Sequence, residues 1–328
     1  MEKLQLLSLG KIADPEARAR IAAICDIVET DDISEAGLLA RIAGFDAVIV
    51  PFTSSMLVTR KVIDAAPRLR LIASSYGGTR QNIEDLYALS KGITVIHTGA
   101  SRERPMAEYT LGLILSSLLR IHSYHHDMVS GEAWPRFKYP RTRILSGRSA
   151  AVVGYGRIGG AIAAMLKNFT SDVRVVSRHL PDAEAAAAGV LKTSLDDAFS
   201  TCEIIVLAGG STAETYHMIG ARQFERMREN ALFVNIARGK MVDEAAMIEA
   251  VNTRPIFLAL DVFEVEPLPA DSPLRRNDRV LLTPHRANNS IEFEERWKCL
   301  ADELERFAAG VRPESALTPE RAAVMSES

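Results

Sequence analysis

The sequence predicts an α/β protein built from two doubly wound parallel sheets. Three observations lead there. Short apolar runs alternate with helical stretches along almost the whole chain. These runs fall into two series rather than one. Within the second series a glycine pattern, G-x-G-x-x-G, stands between a strand and a helix. Strands that alternate with helices form parallel sheets whose two faces are covered. A chain of 328 residues has room for two such domains.

In the first hundred residues, "LQLLSL", "DAVIV", "LRLIASS" and "ITVIHT" read as buried strands. Between them, "EARARIAAI", "SEAGLLARIA" and "TRKVIDAA" have helical spacing. One long helix is then expected over "RPMAEYTLGLILSSLLRIHSYHHDM", about seven turns at 3.6 residues per turn. Pro105 is tolerated in its first turn. Its middle is apolar nearly all round, so it should be buried against a domain or a second copy. A symmetric homodimer through the 103–128 region is the expectation. The stretch "GEAWPRFKYPRTRILSG" reads as a loop. The second series follows with "SAAVVG", "DVRVVS", "EIIVLA", "ALFVNIA", "IFLALDVF" and "RVLLTPH".

Composition narrows the class. A net charge of -3 argues against a general nucleic-acid surface, which needs a strong basic excess. Cys25, Cys202 and Cys299 lie far apart and form no C-x-x-C, so neither a zinc knuckle nor a disulfide framework is indicated. "YTLGLILSSLL" is too short to span a bilayer. The opening "MEKLQLLSLG" lacks a basic region followed by a long apolar run. A cytoplasmic chain with reduced thiols and no membrane partner is expected. His122, His125 and His126 share a helix face at a spacing that could bind zinc. No second ligand cluster accompanies them, and helix ends attract histidine through the dipole. No metal is expected.

The glycine pattern comprises Gly154, Tyr155, Gly156, Arg157, Ile158 and Gly159. The strand "SAAVV" feeds into Gly154, helical spacing follows, and "DVRVV" returns as a strand. Gly154 would allow the tight turn, Gly156 the approach of a pyrophosphate, and Gly159 close packing of helix on strand. The helix N-terminus would offer N–H groups to the phosphates. After the second strand, an NAD-type site carries a carboxylate for the adenosine ribose. This chain has Ser177 and Arg178 there. A hydroxyl and a guanidinium favour a 2′-phosphate, so NADP (NADPH) is the expected cofactor, with NAD possible.

Three later segments end apolar runs in polar turns. "LFVNIARGKMVDEAAM" carries Arg238, "LALDVFEVEPL" carries Asp261, Glu264 and Glu266, and "VLLTPHRANNS" carries His285. Ligands of open α/β sheets bind beyond the carboxyl ends of the strands. A guanidinium there could hold the carboxylate of a 2-keto acid and polarise its ketone. A histidine could give the ketone oxygen its proton. A carboxylate behind the histidine would orient the ring. Each residue alone has a plainer reading: a helix cap, a solvated charge, a half-buried imidazole.

The motifs "VVGYGRIGGAIA", "VNIARGKMVDEAAM", "LDVFEVEPLPADSPL" and "LLTPHRAN", in this order and spacing, resemble the D-isomer-specific 2-hydroxyacid dehydrogenases. The resemblance covers nearly the whole chain and is clearest from about residue 70 to 290. It implies a Rossmann cofactor domain over 102–289. It also implies a flavodoxin-like substrate domain, discontinuous over 1–101 and 290–328, with the active site in a cleft between the two. It implies Arg238 as the substrate-binding guanidinium, His285 as acid/base and Glu266, rather than Glu264, as its partner. Ala237, Arg238, Asp261 and His285 would bind the cofactor, Asp261 at the nicotinamide carboxamide. Ser75, Tyr76, Gly77 and Gly78, in "SSYGG", would bind the substrate carboxylate through backbone N–H groups.

The chain departs from the family pattern in places. Gly209-Gly210 replace a proline that often stands in that loop, which suggests a looser segment. "RANNS" replaces a glycine-rich run, and "GGTRQNI" lacks the usual Asp. Arg102 and Arg104 are unusual; they read as solvated first-turn charges in preference to binders of an acidic substrate group. The expected activity is NADPH-linked reduction of a small 2-keto acid, glyoxylate or hydroxypyruvate. The alternatives are a phosphoglycerate dehydrogenase-like enzyme and a non-catalytic, dinucleotide-sensing protein like the corepressors of this family.

Overall fold

The structure, a computed structural model, describes residues 2–323. The chain divides into two units, Met1–Arg102 with Ile291–Ser328, and Glu103–Ser290.

In the first unit the apolar runs form β1 (Leu4–Leu9), β2 (Cys25–Thr30), β3 (Ala47–Val50), β4 (Leu71–Ser74) and β5 (Thr94–His97). All pair in parallel, in the order β2-β1-β3-β4-β5. Between them run α1 (Pro15–Ile24), α2 (Glu35–Leu39), α3 (Arg60–Asp64) and α4 (Asp85–Ser90). Asp14, Ser34 and Thr59 cap the first three by accepting a backbone N–H of the first turn. Successive strand residues face opposite sides of a sheet, which is why uninterrupted apolar runs suit it. Leu7, Val48, Ile72 and Val95 join one core; Leu6, Ile49, Leu71 and Ile96 join the other.

The second unit begins with α5 (Glu103–Leu118) and α6 (Ile121–Val129). The single helix expected here is broken. Arg120 turns left-handed, with φ of 52°, and its guanidinium lies over the rings of Tyr139 and Phe257. Those cation–π contacts hold a turn that no glycine announces. Nor is α5 buried all round. Met106, Ala107, Thr110, Leu113, Ile114, Ser117 and Leu118 form one buried face, packed against the helix Arg157–Leu166 of the same unit.

The seven-stranded sheet comprises β6 (Ala150–Val153), β7 (Val173–Val176), β8 (Leu191–Lys192), β9 (Ile204–Leu207), β10 (Leu232–Asn235), β11 (Phe257–Leu260) and β12 (Val280–Leu282). All pairs are parallel, in the order β12-β11-β10-β9-β6-β7-β8. The helices between are α7 (Arg157–Leu166), α8 (Asp182–Ala188), α9 (Leu195–Thr201), α10 (Ala221–Arg226) and α11 (Glu244–Thr253). Strand order reverses between β6 and β9, which is where a doubly wound sheet opens a ligand crevice. The glycine turn leaves β6 at that point.

The chain then returns to the first unit as α12 (Arg296–Ala308), followed by α13 (Pro319–Ala323). Trp297, Leu300, Ala301 and Leu304 of α12 enter the same core as Ala17 and Ile21 of α1. Arg20 of α1 bonds Glu305 and Asp302 of α12. Among the described residues no helix is long and apolar enough to cross a membrane. None of their His, Cys, Asp and Glu side chains form a group of three or more that could hold a metal ion. The His122 ring turns back to the end of α5, its Nδ1 3.2 Å from the Ser116 carbonyl.

Candidate functional site

Two of the loop glycines are required by crowding. Gly154 has φ of 98°, and a Cβ there would stand 2.5 Å from Gly209 Cα. A Cβ on Gly159 would stand 2.0 Å from the Gly154 carbonyl oxygen. Gly156 differs: a Cβ there would meet nothing within 4 Å. The turn is therefore closed on its protein side and open at the N-terminus of α7. Those features fit a dinucleotide pyrophosphate, which needs an uncovered backbone and free N–H groups. Arg157, the first residue of α7, bonds Glu103 at 2.7 Å, and Tyr155 and Ile158 pack on the β6 core.

The loop after β9 is not loose, contrary to the expectation drawn from Gly209-Gly210. Ala208 N donates to Val153 O at 2.8 Å, and Gly209 abuts Gly154. Beyond it, Thr215 Oγ1 accepts from Thr212 N at 2.8 Å and donates to Gly210 O at 2.9 Å. Glu214 rides on this fastened turn. Its carboxylate bonds Arg178, the residue after Ser177 at the end of β7, at 2.7 Å.

Arg238 follows β10. Buried Asn235 braces its turn, accepting from Ala237 N at 3.0 Å and donating to Arg238 O at 3.1 Å. The Arg238 guanidinium donates to Ala237 O at 2.8 Å. Gly239 presses against the next turn, where a Cβ would lie 1.8 Å from Phe263 C. This contact brings the Arg238 turn against the turn that carries Glu266.

Glu266 and His285 form a pair. Glu266 Oε2 lies 2.7 Å from His285 Nδ1, and Glu266 Oε1 accepts from Phe263 N at 3.0 Å. The carboxylate is thus anchored to its own turn while it orients the ring. His285 has φ of 53°, a left-handed conformation that a β-carbon disfavours. Fully buried Asp261 holds that turn. Its carboxylate accepts from Thr283 Oγ1 at 2.6 Å and from the N–H groups of Arg286 and Ala287 at 2.9 Å each. Its carbonyl accepts from His285 N at 2.8 Å. Asp261, assigned to the nicotinamide by resemblance, is here the support of the His285 turn. The Tyr109 phenol sits beside it, its pKa raised chiefly by burial. Glu266 and His285 line a pocket of about 560 Å³ with Phe263, Leu268 and Leu282.

In the first unit, the 74–78 loop is partly self-satisfied. Ser75 N donates to Val50 O at 2.9 Å, continuing the sheet. Ser74 Oγ donates to Gly78 O at 2.8 Å. The N–H groups of Gly77 and Gly78 have no protein acceptor among the described residues, so they are the ones that could take a carboxylate. Asn82 ties this region to the 52–55 loop, donating to Thr53 O and Ser55 O. Arg102 is not a solvated charge: it is buried and lies 3.3 Å from the Tyr76 ring centroid and 5.0 Å from that of Phe293. Arg104 is exposed and bonds Glu108 one turn on.

One pair escaped sequence reasoning. His217 Nε2 lies 2.8 Å from Glu264 Oε1, and His217 N donates to Lys240 O at 3.0 Å. Glu264 thus has its own histidine and leaves Glu266 to His285. The residues are 47 apart, and nothing local in "ETYHMIG" signals the contact.

The family model for the NAD-binding domain of D-isomer specific 2-hydroxyacid dehydrogenases matches residues 111–287. A glyoxylate reductase of Thermofilum pendens is 35% identical over 288 residues, covering 84% of this chain and 83% of that protein. A D-3-phosphoglycerate dehydrogenase of Mycobacterium leprae is 32% identical over 289 residues, 87% of this chain but 54% of that protein, so the chain spans about half its length. A solved structure from Pyrococcus horikoshii OT3 superposes with a TM-score of 0.84 at 28% identity, covering 97% of this chain and 96% of that one. With its glycine cradle, its guanidinium turn and its histidine–carboxylate pair, the chain belongs to the D-isomer-specific 2-hydroxyacid dehydrogenases, NAD(P)-dependent oxidoreductases of 2-hydroxy acids.

Proposed function

We propose that this enzyme reduces a small 2-keto acid of the glyoxylate or hydroxypyruvate type to the D-2-hydroxy acid, with NADPH preferred over NADH. The observation that carries the chemistry is the 2.7 Å contact between His285 and Glu266. When bound, the nicotinamide supplies the hydride that reduces the ketone carbon. Arg238 holds the substrate carboxylate and draws charge from the ketone oxygen. With Nδ1 turned to Glu266, Nε2 is the nitrogen that gives its proton to that oxygen. Glu266 accepts the Nδ1 proton and so keeps the ring in that tautomer. Ser177 and Arg178 support the choice of NADPH.

The test is initial rate with glyoxylate and hydroxypyruvate, each with NADPH and NADH, for the wild type and Arg178→Asp. Faster turnover with NADPH, reversed in the variant, is expected. A preference left unchanged by Arg178→Asp refutes the cofactor assignment. The phosphoglycerate dehydrogenase reading draws on the 32% identity to that relative, and phosphohydroxypyruvate belongs on the same panel. Dinucleotide binding without turnover of any keto acid would favour a sensing role.

The enzyme is also proposed to be a homodimer. The support has moved from α5 to the segment that follows it. Ile121, Met128, Val129, Trp134, Phe137 and Ile144 are all more than half exposed, an apolar concentration that isolated soluble chains seldom leave uncovered.

A further inference from the structure

We infer that Glu214 is a second determinant of cofactor choice, a built-in competitor for the 2′-phosphate. The inference rests on the reading of Arg178 as a phosphate-binding residue. The Arg178 guanidinium, the group best suited to that phosphate, is held by Glu214 Oε2 at 2.7 Å. Both side chains are about seven-tenths exposed, so an incoming anion can reach them. Glu214 does not stand on a pliable loop. It belongs to the turn fixed by Thr212 and Thr215, which continues the strand next to β6. Arg178 holds the Glu214 carboxyl below its usual range, with a smaller effect from His179. The group is therefore a carboxylate at neutral pH.

A 2′-phosphate that takes up Arg178 must displace this carboxylate or share the guanidinium with it. Two like charges on one guanidinium repel. A 2′-hydroxyl meets no such opposition. Glu214 thus weakens NADPH and spares NADH, and it narrows a selectivity that Arg178 alone would make wide. The exposed pair is screened by salt, so the narrowing is greatest at low ionic strength.

The test is equilibrium binding, by calorimetry, of NADPH, NADH and 2′-AMP to the wild type, Glu214→Gln and Arg178→Gln. Glu214→Gln should tighten NADPH and 2′-AMP by roughly three- to tenfold at low salt and leave NADH within about twofold. The gain should shrink as salt is added. A Glu214→Gln variant that binds NADPH no better, or that gains equally for NADH, overturns the inference. So does weaker NADPH binding, which would make Glu214 a support that positions Arg178. Arg178→Gln separates the two levels. If it fails to weaken NADPH relative to NADH, the phosphate-binding reading itself falls, and the inference with it.

Discussion

Gly239 is the residue whose enlargement should cost most for a single added methyl group. The Ala Cβ would stand 1.8 Å from Phe263 C, 1.9 Å from Phe263 O and 2.3 Å from Glu264 N. All three are backbone atoms, so no rotamer change relieves the clash. Ordinary carbon contacts begin near 3.4 Å, and the two turns must part by about 1.6 Å. One turn carries Arg238 and the other carries Glu266. A misplacement of about 1 Å can lower a rate by roughly 10²-fold, so kcat should fall at least that far. Forced overpacking costs about 1–3 kcal/mol. For a domain of this size each kcal/mol shifts Tm by roughly 2–4 °C, so the melting point should drop by several degrees. Gly154 to Gly159 form a separate turn, so nucleotide affinity should fall less than kcat. The assays are steady-state kinetics, thermal melting and nucleotide titration. A Gly239→Ala variant within twofold of wild-type kcat, with an unshifted Tm, would refute the argument that this contact sets the site.

Three further outcomes are expected. Glu266→Gln should lower kcat by roughly 10²- to 10⁴-fold, whereas Glu264→Gln, at His217, should cost far less; equal losses would mean the carboxylates are wrongly assigned. Burial pushes the Cys25 thiol up to about 12 and raises Cys202 and Cys299 as well. The native thiols should then resist a disulfide reagent at pH 8 and react after denaturation. Because the folded thiol ionises later than the unfolded one at about 8.5, these groups leave stability unchanged below that pH and erode it as pH rises towards 12, readable as a falling Tm. Trp134→Ser combined with Phe137→Ser should convert the proposed dimer to a monomer by light scattering, with the melting transition retained; an unchanged mass would place the interface elsewhere.

The sheets were legible because their central strands are apolar on both faces. "AVIV", "AAVV" and "IIVL" leave no other reading once helices flank them. The edges were not. β2 is half exposed and reads "CDIVET", and β8 is a two-residue strand with both side chains exposed. Each pairs on one side only, so neither needs a continuous apolar run. The break between α5 and α6 was hidden because an arginine, not a glycine, takes the left-handed turn, held by rings distant in sequence. At the site, Arg238, Glu266 and His285 stood out as polar residues at strand ends. Their supports did not. Asn235 closes an apolar strand like any buried amide, and the hydrogen bonds by which Asp261 braces the His285 turn join residues more than twenty apart. Arg102 read as a surface charge because sequence cannot show that two rings cover it.

Arg238, Glu266, His285 and the glycine cradle all belong to Glu103–Ser290. The 74–78 loop, which the family resemblance assigns to the substrate carboxylate, belongs to the other unit. On that assignment, proton transfer and part of substrate recognition are encoded in separable stretches of gene. Randomising the 74–78 loop should change substrate preference while His285 and Glu266 are inherited intact. A library built that way explores new substrates without having to rediscover catalysis.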